Sequence, residues 1–578
     1  MEWALFGVVG IITIVAAGAF GRKLGIASPL ILIVIGFGFS YLPGAPTEIP
    51  HEWILAGLLP PILYSSAITV PVIDFRRNLS SITALSVLLV IVTALVAGAV
   101  LWAIFPDLSL AGAIAIGAVI SPTDAVAATA LGKRLGLPPR LVTILEGEGL
   151  VNDATALVLL RSAIAATAAS ITLWEVVGDF AFAVAVAIAI GLVVGFVTVF
   201  VRSKLSDPVL DTAISFAVPF LAFIVAESLH ASGVLAVVVA GLYSGHKGAR
   251  VFSAQARISE RLNWRTLQYV LENGVFLLMG IEISAVIGAV IDDDLSAHVA
   301  VLLGLLLTVI VMAIRFVFVV PLLLVLRGQS RVAVERQSRF RRMLEMFRGR
   351  DDLDDRARRR QEQGERIFKR READLAQLQA EGLGWRGGVV LGWSGMRGVV
   401  TLAAAQSLPA DLPYRPQLVL IAFTVAVVTL LAQGGTLPWV IRRTGIRGSD
   451  ESVDSRSLAE LLDEMGEAGL AVLDTETVSL PDGERVDPAV VSRVRNDTLL
   501  SAQSAWERAN EGVTADGTVE SPHQQYRALR REVLRAERAA LLEARESGTY
   551  PSRVLIRAQA MLDLEETRLE QLDGPGGD

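Results

Sequence analysis

The chain has 578 residues, of which 53% are hydrophobic and 19% charged, with a mean hydropathy of +0.53. That is too apolar and too long for one soluble domain, and Cys 0 excludes disulfides, thiolate metal sites and cysteine nucleophiles. The net charge of -7 averages two unlike regions: apolar runs of membrane length dominate up to about residue 326, whereas 327–383 and 442–578 are densely charged.

A helical span needs roughly 20 apolar residues, and on that rule about thirteen candidates follow one another. They lie near 3–20, 27–42, 53–70, 81–104, 109–131, 141–168, 172–201, 209–229, 231–245, 267–290, 297–326, 384–408 and 415–441. Met1 to Phe20 lacks a basic leader, and Gly-Arg-Lys follows it, so it reads as a first span and not a cleaved signal. The least certain division is between the eighth and ninth runs, which only Leu229-His230-Ala231 separates.

Charge orients the spans. With the N-terminus outside, every inside loop is basic, as at Arg22-Lys23, Arg76-Arg77, Lys133, Arg134 and Arg140, Arg202 and Lys204, and Lys247 to Arg265. The outside connections carry Glu48 and Glu52, Asp107, Glu175, Asp292 to Asp294 and Asp411, with Arg415 as the clear exception. The insert at 327–383 reads as a solvated cytoplasmic helix or hairpin, or as a basic face on anionic lipid. The tail, 442–578, reads as a flexible start from 444 followed by helices between Gln524 and Leu572, forming a cytoplasmic module that is either regulatory or a dimer contact.

Polar groups within the apolar runs carry the chemistry. Glu146-Gly-Glu-Gly-Leu-Val-Asn-Asp153 opens onto the apolar run Ala154 to Leu160. A carboxylate at mid-membrane costs about 2.5–3.5 kcal/mol, so Glu146, Glu148 and Asp153, with Asn152 beside the last, read as an ion or proton site. Pro122 in Ile120-Ser-Pro-Thr-Asp-Ala-Val126 removes a backbone donor and breaks the fifth span. Thr123 and Asp124 follow the break, where Asp124 either caps a kink or belongs to the site. A second interruption, Gly392-Trp-Ser-Gly-Met-Arg397-Gly, breaks the twelfth span and buries a permanent cation that needs an anionic partner. One broken span in each half is the pointer to inverted repeats around a midplane site.

Weaker candidates remain open. Leu58-Leu-Pro-Pro-Ile-Leu-Tyr64-Ser65 is either a kinked span facing the site or a helix start with Pro in its first turn. Glu227 and His230 form either a proton-access group or an interfacial pair, and Glu272-Asn273 and Glu282 read as near-surface or packing groups. Arg161 pairs with a carboxylate or snorkels. No P-loop, HExxH or GxSxG is present, which speaks against an ATP-driven pump or a hydrolase.

These motifs together resemble the sodium/proton exchangers of the monovalent cation:proton antiporter family, the branch of bacterial NhaP-type antiporters and animal exchangers. The resemblance covers roughly residues 1–441 apart from the insert, through Leu58 to Leu63, Ile120 to Ala127, Gly147 to Asp153 and Gly395 to Gly398, with Ala226 to Gly233 as a further segment. It implies an all-α polytopic membrane protein that is not an enzyme and needs no cofactor. Such a protein would exchange Na+ or Li+ for H+, serving pH and sodium homeostasis, and would work as a homodimer in a cell membrane, the inner membrane of a bacterium, without nucleic acid. Asp153 would bind cation and proton in turn beside neutral Asn152, and Na+ would sit at Asp153 and the Thr123 carbonyl with Asp124 as partner. Glu148 and Arg397 would form a structural ion pair; Glu146, Ser65 and Glu227 are secondary candidates. Gly149 stands where the family often has Ser, and Tyr64 and Ser65 where some members are acidic, so K+/H+ exchange stays open. A cation channel or a non-transporting pH sensor is the alternative from another class.

Overall fold

The computed structural model describes residues 2–24, 28–41, 52–124, 128–129, 132–133, 135–168, 173–205, 207–292, 296–347, 383–446, 451–473, 489–495 and short pieces between 529 and 565. Among these residues it is helical, and it divides into a unit Met1–Gly448 and a unit Ser449–Asp578.

The first unit runs α1 (Glu2–Leu24), α2 (Ser28–Phe39), a π-turn (Trp53–Leu58) leading into α3 (Leu59–Thr69), α4 (Val72–Arg77), α5 (Leu79–Thr83), a second π-turn (Ala84–Leu88) leading into α6 (Leu89–Ile104), and α7 (Leu110–Ile120). It continues with α8 (Pro139–Ala168), α9 (Leu173–Arg202), α10 (Pro208–Ser228), α11 (Gly233–Val251), α12 (Ala254–Asp292) and α13 (Ala297–Phe347). It ends with α14 (Trp385–Trp393), α15 (Val399–Gln406), α16 (Arg415–Thr429), a π-turn (Leu430–Gly434) and α17 (Gly435–Thr444). Among the described residues seven helices are long and apolar enough to cross a membrane, and four shorter apolar helices accompany them. Their outward faces are apolar too, as at Ile12, Phe196 and Val317, which is how a helix hydrophobic all round behaves when lipid replaces water.

Buried apolar clusters tie the helices together. The π-turn before α3, α3, α9, α10 and α11 enclose one apolar cluster around Tyr64, Ala187, Ala222 and Val237. A second group, α6, α7, α13, α15 and α16, packs around Ala97, Ile116, Val311, Ala404 and Ile421. Small residues set the spacing: a Cβ on Gly98 would stand 2.9 Å from Ile114 Cα, so α6 and α7 touch backbone to backbone. Helices run between a basic and an acidic end of the bundle. Thus α9 starts near Glu175 and finishes at Arg202, and α12 starts near Arg257 and finishes at Asp292.

Several expectations change in detail. The eighth and ninth runs are separate helices, divided by a turn in which His230 takes a left-handed φ of 56°. The third run is a π-turn followed by a helix with Pro in its first turn. The tenth starts earlier, at Ala254, because Arg257, Arg261 and Arg265 continue the helix beyond the apolar part. The eleventh passes through Pro321 and on to Phe347, so the insert begins as an extension of a span; residues 348–382 lie outside the described residues.

In the second unit the expectation of a flexible start is overturned: α18 (Glu451–Leu473) is a 23-residue helix. Leu458, Leu461, Leu462 and Met465 recur there at helical spacing. Further on, 489–495 and 532–541 are helical, and Arg530 pairs with Glu565 at 3.0 Å and Glu537 at 3.4 Å. The remainder of the expected helices between Gln524 and Leu572 lies largely outside the described residues.

Candidate ion-binding site

The two interruptions meet. α7 stops at Ile120 because Pro122 cannot supply a helical N–H, and 121–124 run on without helix. Opposite, α14 ends at Trp393 and 394–398 cross before α15 begins. The Asp124 N–H donates to the Met396 carbonyl at 2.7 Å. Arg397 Nε donates to the Ile120 carbonyl at 3.1 Å, its guanidinium reaches the Gly395 carbonyl, and its N–H donates to Thr429 Oγ1 at 3.0 Å. Each break thus satisfies the backbone groups that the other leaves open, which lets non-helical chain persist at membrane depth.

α8 crosses this junction. Asn152 Nδ2 donates to the Thr123 carbonyl at 2.7 Å and stands 3.0 Å from Thr123 Oγ1. Thr123 Oγ1 donates to Glu148 Oε1 at 2.6 Å. Glu148, 2% exposed, is held by both arms of Arg315, at 2.5 and 2.9 Å. Arg315 Nε also donates to the Leu391 carbonyl at 3.0 Å. The expected Glu148–Arg397 pair is therefore corrected: the guanidinium on Glu148 comes from α13, while Arg397 is spent on main-chain carbonyls at the break. Gly395 makes room for this, since a Cβ there would stand 2.5 Å from Arg315 Cδ.

Asp153 is 8% exposed and lies with Asp124 in the wall of one cavity of about 490 Å³. Glu272 lines the same cavity. Gly398 lets the break approach Asp124, because a Cβ there would fall 2.7 Å from Asp124 Cβ. Thr123 lines the cavity, and its carbonyl already accepts from Asn152, leaving its second lone pair for a cation. Gly149 also lines it, without a hydroxyl. Toward the basic end the wall includes Lys133, Glu146 and Arg265.

The secondary candidates divide. Glu146 stands at the cavity wall, paired with Lys133 at 2.7 Å. Ser65 is buried outside the cavity and donates to the Ile62 carbonyl at 2.7 Å; its neighbour Ser66 lines the wall instead. Glu227 is away from the cavity, paired with Arg161 at 2.5 Å and accepting from the Gly233 N–H at 3.0 Å. Glu272, expected near the surface or in packing, faces the cavity on α12, where Gln268 donates to it at 2.7 Å and to Ser66 at 3.2 Å. Arg315 is a site residue that the motifs do not point to, although a lone cation inside the run 297–326 is as costly as a lone carboxylate and carries the same signal.

A polytopic bundle in which two broken spans cross beside buried carboxylates has the build of a secondary ion transporter. The family model described as sodium/hydrogen exchanger, transmembrane, matches residues 10–443. The chain belongs to that family. It is 30% identical to an uncharacterized Na+/H+ exchanger of Mycobacterium tuberculosis, over 98% of this chain and 96% of the other. It is 25% identical to the Na+/H+ antiporter ApNhaP of Aphanothece halophytica, over 78% of this chain and 76% of the other. The solved sodium proton antiporter MjNhaP1 of Methanocaldococcus jannaschii shares the fold, with a TM-score of 0.52 and 15% identity over 76% of this chain and 98% of the other. The protein is thus a multi-pass membrane protein and a secondary transporter, and its family exchanges Na+ and H+.

Proposed function

We propose that the protein exchanges Na+ or Li+ for H+ at Asp153 by alternating access. The observation that carries this is the placing of Asp153 and Asp124 in one cavity wall where the two broken spans cross. A proton and a monovalent cation neutralise the same buried charge, so binding of one displaces the other. A core that reorients only when neutral couples their movements.

Charge balance supports one cation per proton. At the crossing itself Arg315 and Arg397 stand against Glu148, Asp124 and Asp153, and one proton or one monovalent cation completes the neutrality of these five groups; Glu272 lies further along the cavity wall, held by Gln268. Asn152, engaged with Thr123, adds no further acid.

The basic end faces the cytoplasm in this reading, with the N-terminus outside, following the loop charges. Lys133 and Arg265 in the cavity wall then mark an inward-facing state. The protein works as a homodimer in the cell membrane, and the cytoplasmic tail regulates it. Gly149 favours a second reading, K+/H+ exchange, because the wall lacks a hydroxyl at that point. A relative from Bacillus pumilus, 27% identical over 50% of this chain and 45% of its own, is described as a sodium, potassium, lithium and rubidium/H+ antiporter.

The test is reconstitution in liposomes with a lumenal pH dye, adding NaCl, LiCl or KCl, beside Asp153→Asn. A cation-driven pH change that vanishes in the variant is expected, and the three salts rank the ions. An unchanged signal in folded Asp153→Asn overturns the assignment of the site.

A further inference from the structure

The cavity at Asp153 stops short of the acidic end. On α12 its wall runs through Gln268, Glu272, Val275 and Phe276, and on α15 through Val400 and Thr401. An apolar cluster of Ile54, Leu55, Leu58, Leu278 and Ala403 follows. It draws the π-turn before α3, α12 and α15 together and closes the way.

Beyond that plug lies a carboxylate the site does not use. Glu282 is 1% exposed, inside a span, and ten residues past Glu272, which is about 15 Å further along the helix. Gln406, at the last position of α15, donates to Glu282 Oε2 at 3.0 Å. Glu282 Oε1 and Gln406 Oε1 are both buried and accept no hydrogen bond among the described residues. Two adjacent acceptor oxygens without donors are what a cation needs and what a merely structural pair avoids. A carboxylate in a span is also too costly to keep for packing alone. The pair bridges α12 to α15, which follows directly from the break that carries Arg397.

We propose that Glu282, positioned by Gln406, is the cation-receiving carboxylate of the closed half of the pathway, taking the monovalent cation between the acidic-end solution and Asp153. When the plug parts, the free oxygens of Glu282 and Gln406 open onto the Asp153 cavity. In the state described here the pair is buried, and Leu278 and Ala403 stand between it and that cavity. The inference rests on Asp153 being the exchange site, and it gives the two faces of the transporter different first contacts. Glu272 stands on the basic side of the plug and Glu282 on the acidic side.

The test uses the full chain in sealed vesicles of both orientations, right-side-out and everted, with Na+ as the probe. Glu282→Gln is expected to raise half-saturating Na+ about tenfold when Na+ is presented at the acidic end, and to leave it unchanged at the basic end. Gln406→Leu shifts the same face less, and Glu282→Asp recovers part of the loss. Equal shifts on both faces, or none, overturn the proposal. Because the native chain has Cys 0, Gln406→Cys carries a single thiol and serves if Glu282→Gln fails to fold. A membrane-impermeant thiol reagent at the acidic end is expected to label it during turnover, and absence of labelling under every ion gradient overturns the proposal. Native protein without cation-driven exchange would instead remove the reading of Asp153 on which this one stands.

Discussion

Replacing Arg315 by Met tests the corrected ion pair most directly. The guanidinium is 1% exposed and makes three hydrogen bonds, two to Glu148 and one to the Leu391 carbonyl. Without it, Glu148 remains 2% exposed with Thr123 Oγ1 as its remaining donor. Breaking a buried pair by removing one partner costs about 3–5 kcal/mol, because the other charge is left uncompensated. Removing both charges is far cheaper, so Glu148→Gln/Arg315→Met should regain more than half of that loss. Arg397→Met loses bonds to carbonyls and leaves no stranded carboxylate, so adding Glu148→Gln should not rescue it. Unfolding of such a protein is irreversible, so the comparison is of inactivation half-lives at one temperature in detergent, read by tryptophan fluorescence and monodispersity. Rescue of Arg397→Met by Glu148→Gln, with none for Arg315→Met, would restore the pair expected from the family and refute this reasoning.

Two further outcomes follow from contacts around the same core. Gly395→Ala places a methyl 2.5 Å from Arg315 Cδ and 2.8 Å from Nε, so overpacking should cost about 1–3 kcal/mol of stability; an inactivation half-life like the native one would show that Arg315 is free to shift. Arg161 and Glu227 join α8 to α10 at 2.5 Å, with side chains 54% and 25% exposed, so the pair is worth at most about 1 kcal/mol, roughly fivefold in an equilibrium. Charge reversal of either residue should shorten the inactivation half-life by a factor of that order, and the exchange Arg161→Glu/Glu227→Arg should restore it; a double variant no better than the singles would mean the pair does not act as a unit.

How much of this was legible in the sequence depended on whether a residue's cost is local. Pro122 stops a helix by its own chemistry, and Asp153 is expensive in an apolar run whatever surrounds it, so the break and the buried acid could be read directly. The loop charges oriented the spans in the same way. Partners are another matter. Glu148 needed a cation, and the chain offered Arg397 in a motif and Arg315 in an apolar run. Sequence spacing does not say which helix passes behind α8, and that alone decided the pairing. Ser65 and Ser66 differ by one residue, which on a helix is about 100° of rotation, so the choice of which lines the cavity required the packing of α3. Glu272 and Glu282 read alike in the sequence, yet the plug at Leu278 and Ala403 puts them on opposite sides.

The placing of the two arginines has a consequence for coupling. Arg315 neutralises Glu148 and so removes that carboxylate from competition for cations. Arg397 is anchored by the Ile120 and Gly395 carbonyls, so its charge is fixed where the breaks cross and is not spent on one carboxylate. It therefore offsets one of the two aspartates of the cavity wall, Asp124 and Asp153. In the proposed exchange the remaining negative charge is the one a proton or a cation cancels before the core reorients. If Arg397 paired with Glu148 instead, Arg315 would be the charge to be accommodated, on α13, a continuous helix and not one of the broken spans. Fixing the compensating charge on the broken span ties the neutrality condition to the segment on which Asp124 and α15 depend.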